Sequence, residues 1–233
     1  MQYETWHPMF EMIKKDISLT WDHDKEAALV LNKLLYEKPN MVAFSYIKHL
    51  IFGKDVVVFG AGPSLEKVIK KIRLHQKKYV LLSADGATSA LIEQNILPDI
   101  IVSDLDGKLS DQIYANKNGS IMIVHAHGDN LNTVKQVLPQ INGKISGSVQ
   151  IDPQGLSNVF NVGGFTDGDR AVYLAAHCHA KSISLAGFDF NGEIGRYSFP
   201  GRKDTELKEK KLYWCSQLIN HLKKDHDIRF LKE

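Results

Sequence analysis

Asp104-Leu105-Asp106-Gly107 sets two carboxylates one residue apart, directly after the β-branched run Ile100–Ser103. In extended backbone both project to the same side, and a divalent cation is the simplest way to keep two such close charges ionised. Hard carboxylate oxygens suit Mg²⁺, which takes one or two carboxylates together with waters and substrate phosphates. Asp129, which closes His125-Ala126-His127-Gly128-Asp129, would add a third carboxylate. A solvated turn capped by Asp106-Gly107 explains the pair equally well without a metal. His125 and His127 read as donors to a phosphate or a leaving group, against a structural role as neutral hydrogen-bonded groups.

Other residues point to phosphate and to a flat ring. In Gly60-Ala61-Gly62-Pro63-Ser64 the glycines would let backbone approach an anion, and amides at the following helix start would point toward it. The third glycine of the dinucleotide fingerprint is replaced by Leu65, and no Gly-Lys-Ser/Thr occurs, so a Walker-type loop is excluded. Glycines serving only close helix packing are the alternative. In Gly163-Gly164-Phe165-Thr166-Asp167-Gly168-Asp169-Arg170 the two carboxylates suit the first turn of a helix, with Thr166 or Asp167 as its cap. Arg170 offers a planar donor fork for a phosphate oxygen pair. Asp189, between Phe188 and Phe190, suits a heterocycle with adjacent N–H donors, although packing also explains the rings. The Gly192–Lys203 stretch, with Arg196, Arg202 and Lys203, reads as a loop able to close over polyphosphate, or as a solvated surface loop.

These residues recur where β-branched runs end. The expected strands are Val56–Phe59, Tyr79–Ser83, Ile100–Ser103, Ile121–Val124, Ile145–Val149, Ser182–Leu185 and Ile228–Leu231. Amphipathic stretches between them predict helices over Ser64–His75, Thr88–Gln94, Leu109–Asn116, Leu131–Leu138, Asp169–His177 and Thr205–Lys224. The pattern is α/β, a mostly parallel sheet with helices on both faces, whose strand ends line one ligand-binding edge. Residues 1–52 read as a small N-terminal helical cap, with Asp22 or Asp24 capping its second helix, and 53–233 as the α/β catalytic domain. Trp6, Phe10 and Trp21 are expected to pack on the main body.

Composition excludes several classes. The 233 residues are 43% apolar and 24% charged, neither disordered nor fibrous. A net charge of +2 without a basic stripe argues against nucleic acid. No apolar run reaches the roughly 18 residues of a bilayer span, and Met1–Phe10 carries neither a basic n-region nor a cleavage site. Cys178 and Cys215 form no metal-spaced pair. A soluble cytoplasmic chain without membrane partners is the expectation.

The succession Phe59–Leu65, Ala84-Asp85-Gly86-Ala87, Pro98–Gly107, His125–Asn130, Gly163–Arg170 and Gly187-Phe188-Asp189 resembles the archaeal 6-hydroxymethyl-7,8-dihydropterin pyrophosphokinase family. It is more distantly similar to thiamine pyrophosphokinase, whose second acidic residue is followed by Ser where Gly107 stands here. The resemblance implies a thiamine pyrophosphokinase-like catalytic domain and Mg²⁺-dependent transfer of diphosphate from ATP to a reduced pterin alcohol, releasing AMP, in folate or methanopterin synthesis. It implies that Asp104, Asp106 and Asp129 hold Mg²⁺. Gly60, Gly62 and Ser64 would cradle phosphate or nucleotide, and Arg170 and His127 would stabilise transferred charge. Asp85 or Asp189 would contact the pterin or assist deprotonation. A homodimer is left open. A sialyltransferase-like glycosyltransferase, a thiamine-type pyrophosphokinase and a non-catalytic nucleotide-binding module are the competing readings.

Overall fold

The computed structural model describes residues 3–17, 23–73, 75–190, 194–198 and 205–231. Trp21, Asp22, Arg202 and Lys203, on which some expectations rest, lie outside them. Among the described residues, eight strands form one all-parallel sheet. They are β1 Asp55–Phe59, β2 Val80–Ala84, β3 Ile100–Ser103, β4 Ile121–Ala126, β5 Ile145–Val149, β6 Val159–Phe160, β7 Ser182–Ala186 and β8 Ile228–Phe230. Their order is β6-β5-β4-β3-β2-β1-β7-β8. The expected α/β class with helices on both faces is the observed one. The two-residue β6 lies outside the expected strands, because so short a run carries no readable periodicity.

Nine helices flank the sheet among the described residues: α1 Tyr3–Asp16, α2 Asp24–Tyr36, α3 Phe44–Ile51, α4 Leu65–Arg73, α5 Ala87–Glu93, α6 Leu109–Lys117, α7 Leu131–Val137, α8 Asp167–His177 and α9 Thr205–Leu222. None is long and apolar enough to cross a membrane. Period-two alternation divides the strand side chains between two faces. Val56, Val58, Leu82, Val102 and Ile123 meet a core that includes Trp6 and Phe10 of α1, Ile47 and Ile51 of α3, and buried residues of α8 and α9. Opposite, Val57, Phe59 and Leu81 pack on α4 and α5, while Met122, Val124 and Ile145 pack on α2 and α7. The N-terminal helices thus share the cores of the sheet they precede. Asp24, at the start of α2, is buried and its Oδ1 accepts from the Gly128 amide at 2.7 Å, which joins this region to the loop after β4.

The crossovers run from β1 out to β6 on one side, then return to place β7 against the other side of β1. The switch point is therefore the crevice between the β1 and β7 carboxyl ends, where open sheets of this kind bind ligands.

Candidate active site

Three carboxylates converge at the carboxyl edge. Asp85 follows β2, Asp104 follows β3 and Asp167 opens α8, and one ligand oxygen from each lies within 4.8 Å of the others. Asp85 is oriented through Oδ1, which accepts from Ser103 Oγ at 2.7 Å, Gln112 Nε2 at 2.7 Å and the Gly107 amide at 3.2 Å. Asp167 accepts from the Asp104 amide on Oδ2 at 3.1 Å and from Arg170 Nη1 on Oδ1 at 3.0 Å.

Asp104 and Asp106 do not share one side of an extended segment. Leu105 between them has φ +70, an unusual left-handed conformation for a leucine. Its side chain is buried and its amide donates to Ser103 Oγ at 2.9 Å. The chain turns there, so Asp104 enters the cleft while Asp106 is exposed at its mouth, still close enough to raise the Asp85 pKa.

Burial, then Asp106 and Asp104, push the Asp85 carboxyl up to about 8. Burial and the neighbouring Asp104 likewise hold Asp167 well above the ordinary carboxylate range, despite the pull of Arg170. Burial opposes ionisation of Asp104 as well, but a hydrogen bond from His127 and the Arg170 charge outweigh it and hold Asp104 below its usual value. Three acids so close together resist simultaneous ionisation without a cation. Asp104 Oδ1 is buried with no hydrogen-bond partner. A hard cation among the three would supply that partner and favour ionisation of the other two acids, so the donor set fits Mg²⁺.

Several expected ligands stand elsewhere. Asp129, expected among the carboxylate ligands, stands apart from the Asp85, Asp104 and Asp167 cluster. It lies in the short 3₁₀ turn after β4, its side chain is 64% exposed, and its Oδ2 is 4.0 Å from His127 Nδ1. Asp167 takes the third place, and the α8 cap is Thr166, whose partner in the capping box is Asp169. His127 sits with Nε2 3.6 Å from Asp104 Oδ2. His125, read as a phosphate donor or a neutral structural group, stands in the interior. It is 2% exposed, with Nδ1 2.9 Å from Ser148 Oγ and Nε2 2.9 Å from Gln150 Oε1, and burial holds it neutral. Arg170 is also turned inward. Nη1 reaches Asp167 and Nη2 reaches Gln150 Oε1 at 2.7 Å, so the fork lies behind the cluster instead of facing a phosphate pair.

The glycine turn after β1 departs from an open cradle. The Gly60 amide donates to the Ala186 carbonyl and the Gly62 amide to the Gly187 carbonyl, at 2.8 and 2.9 Å. The Ser64 amide and Oγ both donate to Asp189 Oδ2 at 2.9 Å, so a carboxylate of the chain itself stands at the entrance to α4. Close packing explains Gly60 and Gly187: a Cβ on Gly60 would lie 2.7 Å from the Gly187 carbonyl oxygen, and one on Gly187 would overlap that of Gly60. The Phe188 ring lines this crevice, 3.2 Å from a Gly60 Cβ position and 3.3 Å from that of Gly168, the residue after Asp167. Of the basic loop, residues 194–198 are described. Arg196 pairs with Glu93 on α5 at 3.7 Å, and Tyr197 donates to the same carboxylate at 2.6 Å.

Gly107 gives a direct test of the Asp85 position, since any Cβ there would overlap Asp85 Oδ2. Gly107→Ala is expected to destabilise the fold by about 1–3 kcal/mol, the usual range for overpacking, because the Asp85 carboxylate must leave its three donors. Denaturant unfolding checks it. An unchanged midpoint would mean that the carboxylate moves freely.

A family model described as 6-hydroxymethylpterin diphosphokinase MptE-like matches residues 31–194. A curated protein of Methanocaldococcus jannaschii, named 6-hydroxymethyl-7,8-dihydropterin pyrophosphokinase, is 42% identical, covering all of both chains. A protein of the same name from Pyrococcus furiosus is 41% identical over all of this chain and 99% of its own. Another from Methanothermobacter thermautotrophicus is 42% identical over 98% of each.

Proposed function

This chain belongs to the 6-hydroxymethylpterin diphosphokinase MptE-like family, and from that membership we propose that it transfers diphosphate from ATP to the hydroxymethyl group of a reduced pterin, releasing AMP. The observation that carries the reading is the convergence of Asp85, Asp104 and Asp167 within 4.8 Å at the carboxyl edge of the sheet. In the transfer, the pterin alcohol oxygen bonds to the β-phosphorus, the bond from that phosphorus to the α,β-bridging oxygen breaks, and the alcohol proton leaves to solvent. Chemistry of this kind depends on alignment and on neutralised charge, with little covalent help from the protein.

Asp85, Asp104 and Asp167 would hold Mg²⁺, with Asp106 at the mouth. The ion supplies charge neutralisation across the phosphates and a template for their alignment. His127, with Nε2 3.6 Å from Asp104 Oδ2 and Nδ1 4.0 Å from Asp129 Oδ2, would face the charge that develops on the transferred group. With Asp85 placed among the Mg²⁺ ligands, Asp189, held by Ser64 through Oδ2 at the entrance to α4, is the carboxylate that would meet the pterin N–H groups. Phe188, at the switch crevice, offers the stacking face.

The test is product identification with ATP, Mg²⁺ and 6-hydroxymethyl-7,8-dihydropterin. AMP and pterin diphosphate are the expected products. Formation of ADP would place the chain in another phosphotransferase class, and thermal stabilisation by CMP- or UDP-sugars in place of ATP would make it a glycosyltransferase.

A further inference from the structure

Behind the carboxylates, on the α8 side of the sheet, runs a buried polar chain. The alternation that sends Ile145 and Val149 of β5 to the α2 face turns Ser148 and Gln150 toward α8, beside His125 of β4. Gln150, immediately after β5, is 2% exposed. Its Oε1 is 2.7 Å from Arg170 Nη2 and 2.9 Å from His125 Nε2. A guanidinium has only donors, so the amide must present its oxygen to Arg170. The same oxygen can then only accept from His125, which requires the Nε2–H tautomer. His125 Nδ1 consequently accepts from Ser148 Oγ at 2.9 Å. Gln150 Nε2, on the other end of the amide, has no hydrogen-bond partner, so nothing favours the flipped orientation.

The second arm of the fork, Arg170 Nη1, holds Asp167 Oδ1 at 3.0 Å, and Asp167 Oδ2 receives the Asp104 amide at 3.1 Å. We infer that Gln150 is a positioning residue, which fixes the Arg170 guanidinium and through it the orientation of Asp167 in the carboxylate cluster. The inference rests on the reading of that cluster as the Mg²⁺ site. Gln150 touches neither substrate nor ion. It acts as the outer partner of a ligand's partner; loss of a ligand's own partner commonly reduces metal affinity or activity about 10- to 100-fold, and the effect one contact further out falls toward or below the lower end of that range.

The full chain is compared with Gln150→Met, which keeps the side-chain length and removes the acceptor, and with Gln150→Glu, which keeps an acceptor oxygen facing both donors. Calorimetric titration with Mg²⁺ alone is expected to show a weakening of up to roughly 10-fold in Gln150→Met and recovery of most of that loss in Gln150→Glu. In ¹⁵N spectra of the unsubstituted protein His125 is the Nε2–H tautomer, and Gln150→Met disturbs it. In turnover, kcat of Gln150→Met falls while KM for ATP stays near that of the parent. Equal Mg²⁺ affinity in parent and Gln150→Met overturns the inference, as does an Nδ1–H tautomer for His125 in the parent. The titration and the spectra need no turnover. Failure to form AMP would therefore count against the proposed reaction and leave the role of Gln150 to be decided by those two measurements.

Discussion

Asp104→Asn is expected to lower AMP formation by roughly a thousandfold while the chain remains folded. The substitution is nearly isosteric and leaves the Asp104 amide, which holds Asp167, in place. What it removes is the carboxyl of the three whose pKa is held below its usual value, by His127 and Arg170 against the opposing effect of burial. Losing a charged ligand from a site that neutralises phosphate costs several kcal/mol of transition-state stabilisation, and each 1.36 kcal/mol is a factor of ten. Quantifying AMP at saturating ATP and pterin, with circular dichroism as a check on folding, measures the effect. Asp129→Asn provides the contrast. Its exposed carboxylate faces His127 and not the cluster, so a loss of less than about tenfold is expected for a screened, solvent-exposed pair. Comparable losses in the two variants would return Asp129 to the metal set.

The second large effect is a dependence on pH and Mg²⁺ together. Without the ion, the folded protein keeps Asp85 protonated up to about pH 8, whereas the ordinary value is 3.8. Between those limits the folded state binds the extra proton, so stability falls as pH rises through that window and levels off above about 8. The groups responsible face Asp85 within the cleft: Asp106 and Asp104 raise its pKa, and the Ser103 hydroxyl opposes them. Asp167 titrates upward beside them for the same reason. Mg²⁺ binding must expel these protons, so its affinity climbs with pH up to about 8, by as much as roughly tenfold per unit for each proton released. Thermal unfolding at about pH 6 and about pH 9, with and without Mg²⁺, should show the ion stabilising far more at the higher pH. Asp85→Asn should flatten the metal-free profile. A profile equally steep in that variant would show that other groups control it.

Much of the site is legible in the chain because strand ends advertise themselves. Asp85-Gly86 and Asp104-Leu105-Asp106-Gly107 follow β-branched runs, and the parallel sheet brings those ends to one edge. Asp167 was hidden by a sufficient local explanation, since acidic residues belong in a first helical turn; only the path of α8 across the strand ends shows that one of the two acids faces the cleft. The placement of Arg170 and His125 is illegible for a related reason. Their chemistry suits phosphate, but strand phase and helix phase decide whether they point to the crevice or beneath it. Leu105 conceals its effect entirely, because nothing in its identity announces a left-handed backbone between two aspartates. Gln150 has no motif at all. The faint signal is Ser146, Ser148 and Gln150 at alternate positions of one buried strand, a polar stripe that a buried partner must satisfy.

The interlocked glycines of the first and seventh strand ends have one more consequence. Each loop's carbonyl occupies the volume a side chain would need on the other, and the hydrogen bonds between them run along the same seam. The two loops therefore answer to mutation as a single unit. Enlarging either one alone meets main chain, which cannot rotate aside as a side chain can, so reshaping this crevice for a different ring calls for coordinated exchange of both segments.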